Sequence, residues 1–239
     1  MNSKKSDQIP SLHDWHAPPI PERLPLAGNY CSLYPLSREY AEPLFKAFSE
    51  NHANEHWTYL PYGPFTSLPE FEKWLVSCAS SDDTHFYCVC ISHADGAMVP
   101  AGVTSYLRIK PESGSIEVGH IHYSSLLQNT AAATEAMYLM MANAFSLGYR
   151  RYEWKCDALN TPSRKAAARL GFTFEGIFRQ ATVVKGRNRD TAWFSIIDSE
   201  WQALERGYKQ WLAATNFDAQ GVQRKSLEDC IKATASVGL

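Results

Sequence analysis

One stretch narrows the folding options of this chain more than any other. Ser115–Tyr123 reads as a strand, and Gln128-Asn129-Thr130-Ala131-Ala132-Ala133 leads from it into a long helix over Thr130–Leu147. Met137, Met140, Met141, Ala144 and Phe145 form the apolar stripe of that helix, and Gly148 suits the position just past its end. A loop of small residues running into a helix start exposes backbone N–H groups at the positive end of the helix dipole. Phosphate is favoured at such a place, and small side chains let a pyrophosphate approach the backbone. Ala is also the best helix former, so the segment alone fits a plain Ala-rich helix start equally well.

The elements around it set the order. Asn29–Tyr34 reads as a strand, followed by a helix over about 38–50 with Leu44, Phe45 and Phe48 on one face and Pro43 in its first turn. Ser67 and Glu70 have capping-box spacing for a second helix, whose Phe71, Trp74, Leu75 and Cys78 follow helical periodicity. Thr84–Ser92, Ala101–Ile109 and Ser115–Tyr123 are strand candidates joined by the short turns Ala94-Asp95-Gly96 and Pro111-Glu112-Ser113-Gly114, so they are expected as antiparallel neighbours. Arg151–Cys156 is a fifth strand. Asn160-Thr161-Pro162-Ser163 then has helix-start chemistry, and that helix stops at Gly171. Thr173–Val184 and Thr191–Asp198 read as a hairpin around Lys185-Gly186-Arg187-Asn188. Trp201, Leu204, Tyr208, Trp211 and Leu212 place a last helix over about 199–213.

The organisation expected is a Pro-rich arm over 1–26, with Trp15 as anchor, one domain over 27–198, and a C-terminal helix and loosely held tail over 199–239. No segment reaches the ~18 apolar residues of a membrane span, and the lysines near the N-terminus are not followed by an apolar stretch, so no membrane contact and no secretory signal are expected. A formal net charge of −2 speaks against nucleic acid as a partner. The six cysteines include no Cys-x-x-Cys pair and read as small buried hydrophobes of a reducing, cytoplasmic compartment. His120 and His122 alternate on one strand, and His52 and His56 are four apart. Neither pair has a third ligand at convincing spacing, so no metal is expected.

The order and spacing of four segments resemble the GNAT superfamily of acetyl-CoA-dependent N-acetyltransferases, in particular its Rim-type branch of ribosomal-protein alanine acetyltransferases. Gln128-x-x-Ala131-x-Ala133 followed by Thr134-Glu135-Ala136 is similar to the family's acetyl-CoA loop. Glu117-Val118-Gly119 stands on the preceding strand, Asn160, Ser163 and Leu170-Gly171-Phe172 follow the fifth strand, and Gly186-Arg187 with Arg189-Asp190 marks the closing hairpin. The resemblance covers about 27–200 and implies a mixed α/β fold of about seven strands flanked by helices. Two positions depart from the pattern. Ala131 replaces the usual Gly, which strains the loop if its φ is positive. Ala167 stands where many members have a Tyr that protonates the leaving thiolate.

The resemblance implies transfer of an acetyl group from acetyl-CoA to a primary amine. Glu117 is the candidate base, direct or through water, and Ser163 a second candidate for protonating the thiolate. The backbone of the strand at 119–123, with Ile121 and Tyr123, is expected to polarise the thioester and hold the cofactor. Gln128, Asn129, Thr130, Ala131, Ala132 and Ala133 are expected at the pyrophosphate, and Asn160 and Ser163 at the pantetheine arm. Trp57, Tyr59 and Tyr62, from the aromatic segment 57–65, and His120 are the expected acceptor-binding residues. The expected acceptor is a small-molecule amine. A protein N-terminus is the alternative, and a non-catalytic acyl-CoA-binding protein is the rival from another class. Monomer and homodimer both remain open.

Overall fold

The computed structural model describes residues 12, 14–49, 57–92 and 96–235. His52 and His56, the Ala94-Asp95 part of the first turn, and most of the arm before Asp14 lie outside them. Among the described residues eight strands form one mixed sheet in the order β1-β2-β3-β4-β5-β6-β8-β7. They are β1 (Leu26–Ala27), β2 (Cys31–Pro35), β3 (His85–Ser92), β4 (Met98–Lys110), β5 (Ser115–Tyr123), β6 (Arg151–Asp157), β7 (Thr173–Val184) and β8 (Arg187–Ile197). The two-residue β1 is one strand more than the sequence predicts; it is too short to carry an alternation. The helices among the described residues are α1 (Ala41–Ser49), α2 (Leu68–Ala79), α3 (Ala131–Ser146), α4 (Thr161–Arg169), α5 (Asp198–Leu212) and α6 (Leu227–Ala235).

Strand alternation splits the core in two. Tyr87, Val89, Tyr106, Ile116, Val118, Tyr152 and Trp154 face α3 and α5, with Met140 and Tyr208 beneath them. Phe86, Cys88, Cys90 and Val103 face the other way, against Leu44, Phe48, Phe71 and Leu75 of α1 and α2. All six cysteines are free and buried in these layers. The first two helices follow the expected periodicity, but the capping contact differs. Ser67 makes no side-chain cap bond; Glu70 instead accepts from the Thr66 hydroxyl at 3.0 Å and the Thr66 N–H at 3.3 Å. The β7–β8 hairpin turns on Lys185 and Gly186, both with positive φ (49° and 72°), the combination a tight two-residue hairpin requires.

The described parts of the arm and of the tail are more firmly attached than their composition suggests. Pro18 and Pro21 are buried, Tyr149 donates its hydroxyl proton to the Pro19 carbonyl at 3.1 Å, and Trp15 lies beneath the Arg150 guanidinium. Gly114 makes that seat possible: a Cβ there would come within 2.7 Å of the Trp15 ring. The tail expected to be loose contains α6, which packs on α5. Leu227 and Cys230 are buried, and Thr234 donates to the Ala203 carbonyl at 2.9 Å. Its apolar residues are too widely spaced to stand out in the sequence.

β5 and β6 create the opening of the sheet. They pair in parallel from Ser115 opposite Arg151 to Val118 opposite Trp154 and no further. Beyond that point β5 stays with β4 up to Tyr123, while β6 stays with β8 up to Asp157. The sheet therefore divides into two arms, with unpaired strand edges facing each other across the gap.

Candidate active site

One wall of the gap is the β5–α3 connection. Gln128 folds back and donates through Nε2 to the Tyr123 carbonyl at 2.7 Å. The left-handed residue of the loop is Asn129, φ 60°. Asn tolerates that conformation better than most residues. Ala131 opens the helix, so the methyl group it adds strains nothing. Thr130 is the N-cap: its hydroxyl donates to the Leu127 carbonyl at 2.7 Å and accepts from the Ala133 N–H at 3.1 Å. Ala133 thus spends its N–H on the cap, a change from the expectation that it serves the phosphate. The N–H groups of Ala131 and Ala132 remain at the helix start without intrahelical partners, where a pyrophosphate fits.

The helix is held by a residue whose role the sequence does not disclose. Glu135, 2% exposed, accepts backbone N–H bonds from Asn29, Tyr30 and Cys31 at 2.8, 2.6 and 2.9 Å. Three charge-assisted bonds satisfy a buried carboxylate and pin the first turns of α3 to the β1–β2 turn. Gly28 leaves the room: a Cβ there would sit 2.4 Å from the carboxylate.

The start of α4 lines the gap beside β6. Asn160 caps the helix, its Oδ1 accepting from the Ser163 N–H at 3.1 Å, which leaves its amide N–H groups for a ligand. The Ser163 hydroxyl accepts from Trp154 Nε1 at 3.0 Å and turns its own proton to the Cys156 sulfur. It lies next to Cys156, whose thiol burial pushes up. Ala167 is wholly buried, so nothing at that position reaches into the gap.

The opposite wall carries charge. Glu117, 4% exposed, is not a free carboxylate: Arg108 donates to its Oε1 at 2.6 Å, and Lys155 Nζ lies 2.7 Å from its Oε2. Lys155 also holds Glu153 at 2.7 Å and sits 3.8 Å over the Trp193 ring. Arg151 continues the series to Glu153 and Glu175. Burial would raise Glu153, but Arg151 and Lys155 together hold it below the ordinary carboxylate range. Lys155 and Arg108 escaped the sequence reading. Lys155 alternates with the apolar Trp154 and Cys156, a pattern any half-exposed strand shows.

His120 stands in a bulge of β5, with φ 53°. Its Nδ1 lies 2.9 Å from the Tyr62 hydroxyl, and its ring stacks on Tyr62 and leans against Phe86. Burial and the nearby Arg108 lower its pKa to about 4, so it is neutral at pH 7. Ile121, in the same bulged stretch, is half-buried, and the hydroxyl of Tyr123 is buried without a hydrogen-bond partner among the described residues. Trp57, expected to line the cleft, is instead 3% exposed at the hub of a packed cluster, stacked on His122 at 3.8 Å and edge-on to Phe48, Phe65 and Trp74. Its segment is nevertheless tied across the gap. Lys185 donates to the Trp57 carbonyl at 2.8 Å, Arg187 to the Thr58 carbonyl at 3.2 Å, and the Tyr59 hydroxyl to the Leu159 carbonyl at 3.2 Å.

A split mixed sheet with a bulged strand on one side of the gap and a capped, small-residue helix start at its mouth is the architecture of an acyl-CoA-dependent acyltransferase. The acetyltransferase (GNAT) domain family matches residues 32–173, more than half of the chain, and the chain belongs to that family. It is similar to a GCN5-related N-acetyltransferase from Brucella melitensis, at 48% identity and a TM-score of 0.89 over 92% of this chain and 100% of that one. A probable acetyltransferase (GNAT family) from Chromobacterium violaceum is 40% identical with a TM-score of 0.75, over 84% and 100%. An uncharacterized N-acetyltransferase p20 of Bacillus licheniformis is 24% identical over 71% of this chain and 94% of its own length.

Proposed function

We propose that the chain moves an acetyl group from acetyl-CoA to the primary amine of a small molecule. Pyrophosphate lies on the N–H groups of Ala131 and Ala132, and Asn160 and Ser163 hold the pantetheine arm. The unpaired β5 edge at 119–123 polarises the thioester carbonyl. Acetyl-CoA supplies the activated acyl group; the chain orients it, takes a proton from the amine and returns one to sulfur. Ser163, whose hydroxyl proton turns from Cys156 to the leaving sulfur, replaces the Tyr missing at Ala167. Glu117 takes the amine proton through water, since each of its oxygens already holds one cation. Neutral His120, braced by Tyr62, packs beside the amine.

The small-acceptor reading rests on one observation: the bonds that tie 57–59 to the β7–β8 hairpin and to Leu159. A segment bonded across the gap narrows it, whereas an extended peptide needs an open groove with backbone partners along several residues. The alternative, a protein N-terminus, is favoured by an acetyltransferase from Salmonella typhimurium that modifies the N-terminal serine of ribosomal protein L7/L12. That protein shares the fold at 21% identity and a TM-score of 0.61. Incubation with acetyl-CoA and a metabolite extract, read by mass spectrometry, tests the proposal, with N-terminal peptides assayed alongside. Acetylated small amines support it. Faster turnover of peptides favours the alternative, and acetyl-CoA binding without any turnover favours a non-catalytic acyl-CoA-binding protein.

A further inference from the structure

We infer that the acceptor carries a carboxylate close to its amine and that Arg108 receives it; this rests on the proposed acetyl transfer to a small amine. The ion-pair series on the open face of the sheet has three cations, Arg108, Lys155 and Arg151, and three carboxylates, Glu117, Glu153 and Glu175. Lys155 and Arg151 each hold two carboxylates. Arg108 ends the series: among the described residues it makes one hydrogen bond, from one terminal nitrogen, to Glu117. Its side chain is 56% exposed, against 9% for Lys155 and 28% for Arg151. A guanidinium has five N–H donors in a planar fork, and a fork with one arm committed presents the rest to the cleft.

The backbone is bent to put it there. Arg108 has φ 47°, where β4 slips register against β5 between Leu107 and Lys110. A non-glycine residue in the left-handed region is strained, and a merely solvated Arg needs no such conformation. The strain aims the guanidinium at Glu117, one residue before the strands part. A second strained residue, His120, stands on the adjacent strand β5 within reach of the Arg108 charge and is neutral, so the ring adds no second cation beside Arg108.

A carboxylate suits this position better than a phosphate. The ion-pair series already balances to zero with Arg108 included, so a monoanion is accommodated there more readily than a dianion, and the planar fork matches a planar anion. Because Arg108 reaches Glu117 beside the start of the gap, amine and carboxylate must be separated by few bonds, as in an amino acid. In a peptide the carboxyl group next to the N-terminal amine is an amide, so only an N-terminal acidic side chain would bring a carboxylate near.

The test uses the full chain with acetyl-CoA and three matched acceptors: an amino acid, its decarboxylated amine and the corresponding aminoalkyl phosphate. The quantity read is the ratio of kcat/KM between partners. The wild type should prefer the carboxylate by at least roughly tenfold, and Arg108→Gln should cut that ratio by roughly 10–100-fold, the worth of one charge-assisted pair. Arg108→Lys should restore part of it. A ratio near one in the wild type, a ratio that Arg108→Gln leaves unaltered, or a preference for the phosphate overturns the inference. Calorimetric titration of the three acceptors into the chain saturated with CoA separates this idea from the transferase reading. Arg108-dependent carboxylate binding without acetylation of any amine keeps the anion site and removes the transferase. Acetylation without carboxylate preference does the reverse, and the absence of both removes both.

Discussion

The two walls of the gap are made of different material. The wall proposed for the cofactor is built from short contiguous stretches, 123–135 and 160–163, and consists of backbone N–H groups, caps and small side chains. The wall proposed for the acceptor gathers Tyr62, Arg108, Glu117, His120, Lys155 and Lys185 from well-separated segments and is held by ion pairs and stacked rings. Backbone groups cannot be substituted away, so the cofactor wall changes only when bulk or charge is forced into it. The acceptor wall is side chain throughout, and single substitutions retune it. It also holds strained Arg108 and His120, whereas the positive φ of the cofactor wall falls on Asn129, where the conformation costs less.

The largest expected effect comes from forcing charge into the cofactor wall. Ala133→Glu sets a carboxylate at the helix start proposed to hold phosphate, so acetyl-CoA binding should become unmeasurable by calorimetry in a protein that still unfolds cooperatively. Unchanged affinity would place the pyrophosphate elsewhere. On the acceptor wall the expectation reverses: Glu117→Gln should lower the rate by roughly 10²–10⁴-fold while acetyl-CoA affinity barely moves. Lys155 keeps Glu153 in that variant, so the fold should survive. A wild-type rate for Glu117→Gln on the true acceptor would make Glu117 structural.

Acid provides a third distinction between the walls. The His120 pKa is about 4 in the folded chain and ordinary, near 6.5, when unfolded. The fold therefore favours the neutral ring, and its contribution is whole above pH 6.5 and lost as the pH falls from 6.5 towards 4. The full loss amounts to up to about 3 kcal/mol. His85, also lowered by burial and by Arg23, adds with the same sign. Denaturant midpoints at pH 7.5 and pH 5 should differ for the wild type and differ less for His120→Gln. An equal difference in both would mean His120 is not the acid-sensitive group.

How far each wall could be read in the sequence follows from the same difference. The wall proposed for the cofactor is local, so the strand, the small-residue loop and the Asn160–Ser163 helix start are visible as spacings, whereas Thr130, read as the first helical residue, is the cap. What escapes there is Glu135, whose three N–H donors lie about a hundred residues earlier in the chain. On the acceptor wall Glu117, His120 and the aromatic segment were legible as residue types but not as partners. A bulge breaks the alternation that sequence patterns rely on, so the turning of Arg108 towards Glu117 leaves no periodic trace. Trp57 misleads for a related reason: an aromatic in a loop suits a cleft lip and a buried hub equally well, and only the rings around it decide. The α6 helix, short and sparsely apolar, hides within a polar tail.

The smallest expected effect concerns the bonds that join the acceptor wall across the gap. Tyr59 and Lys185 each contribute one hydrogen bond to a backbone carbonyl, the first exposed and the second half-buried. Such bonds stabilise by about 0.5–1.5 kcal/mol, at the low end where water competes. Tyr59→Phe and Lys185→Met should therefore leave cooperative unfolding in place and loosen the segment 57–59 locally. If the tie narrows the cleft, the double variant should raise KM for a small amine by a few-fold, up to about tenfold, and improve turnover of N-terminal peptides relative to it. The sign of the peptide-to-amine ratio is the informative quantity, because general damage lowers both rates together. A ratio that stays constant, or that moves against peptides, would mean the tie shapes neither acceptor, and the case for a small amine would lose the observation that carries it.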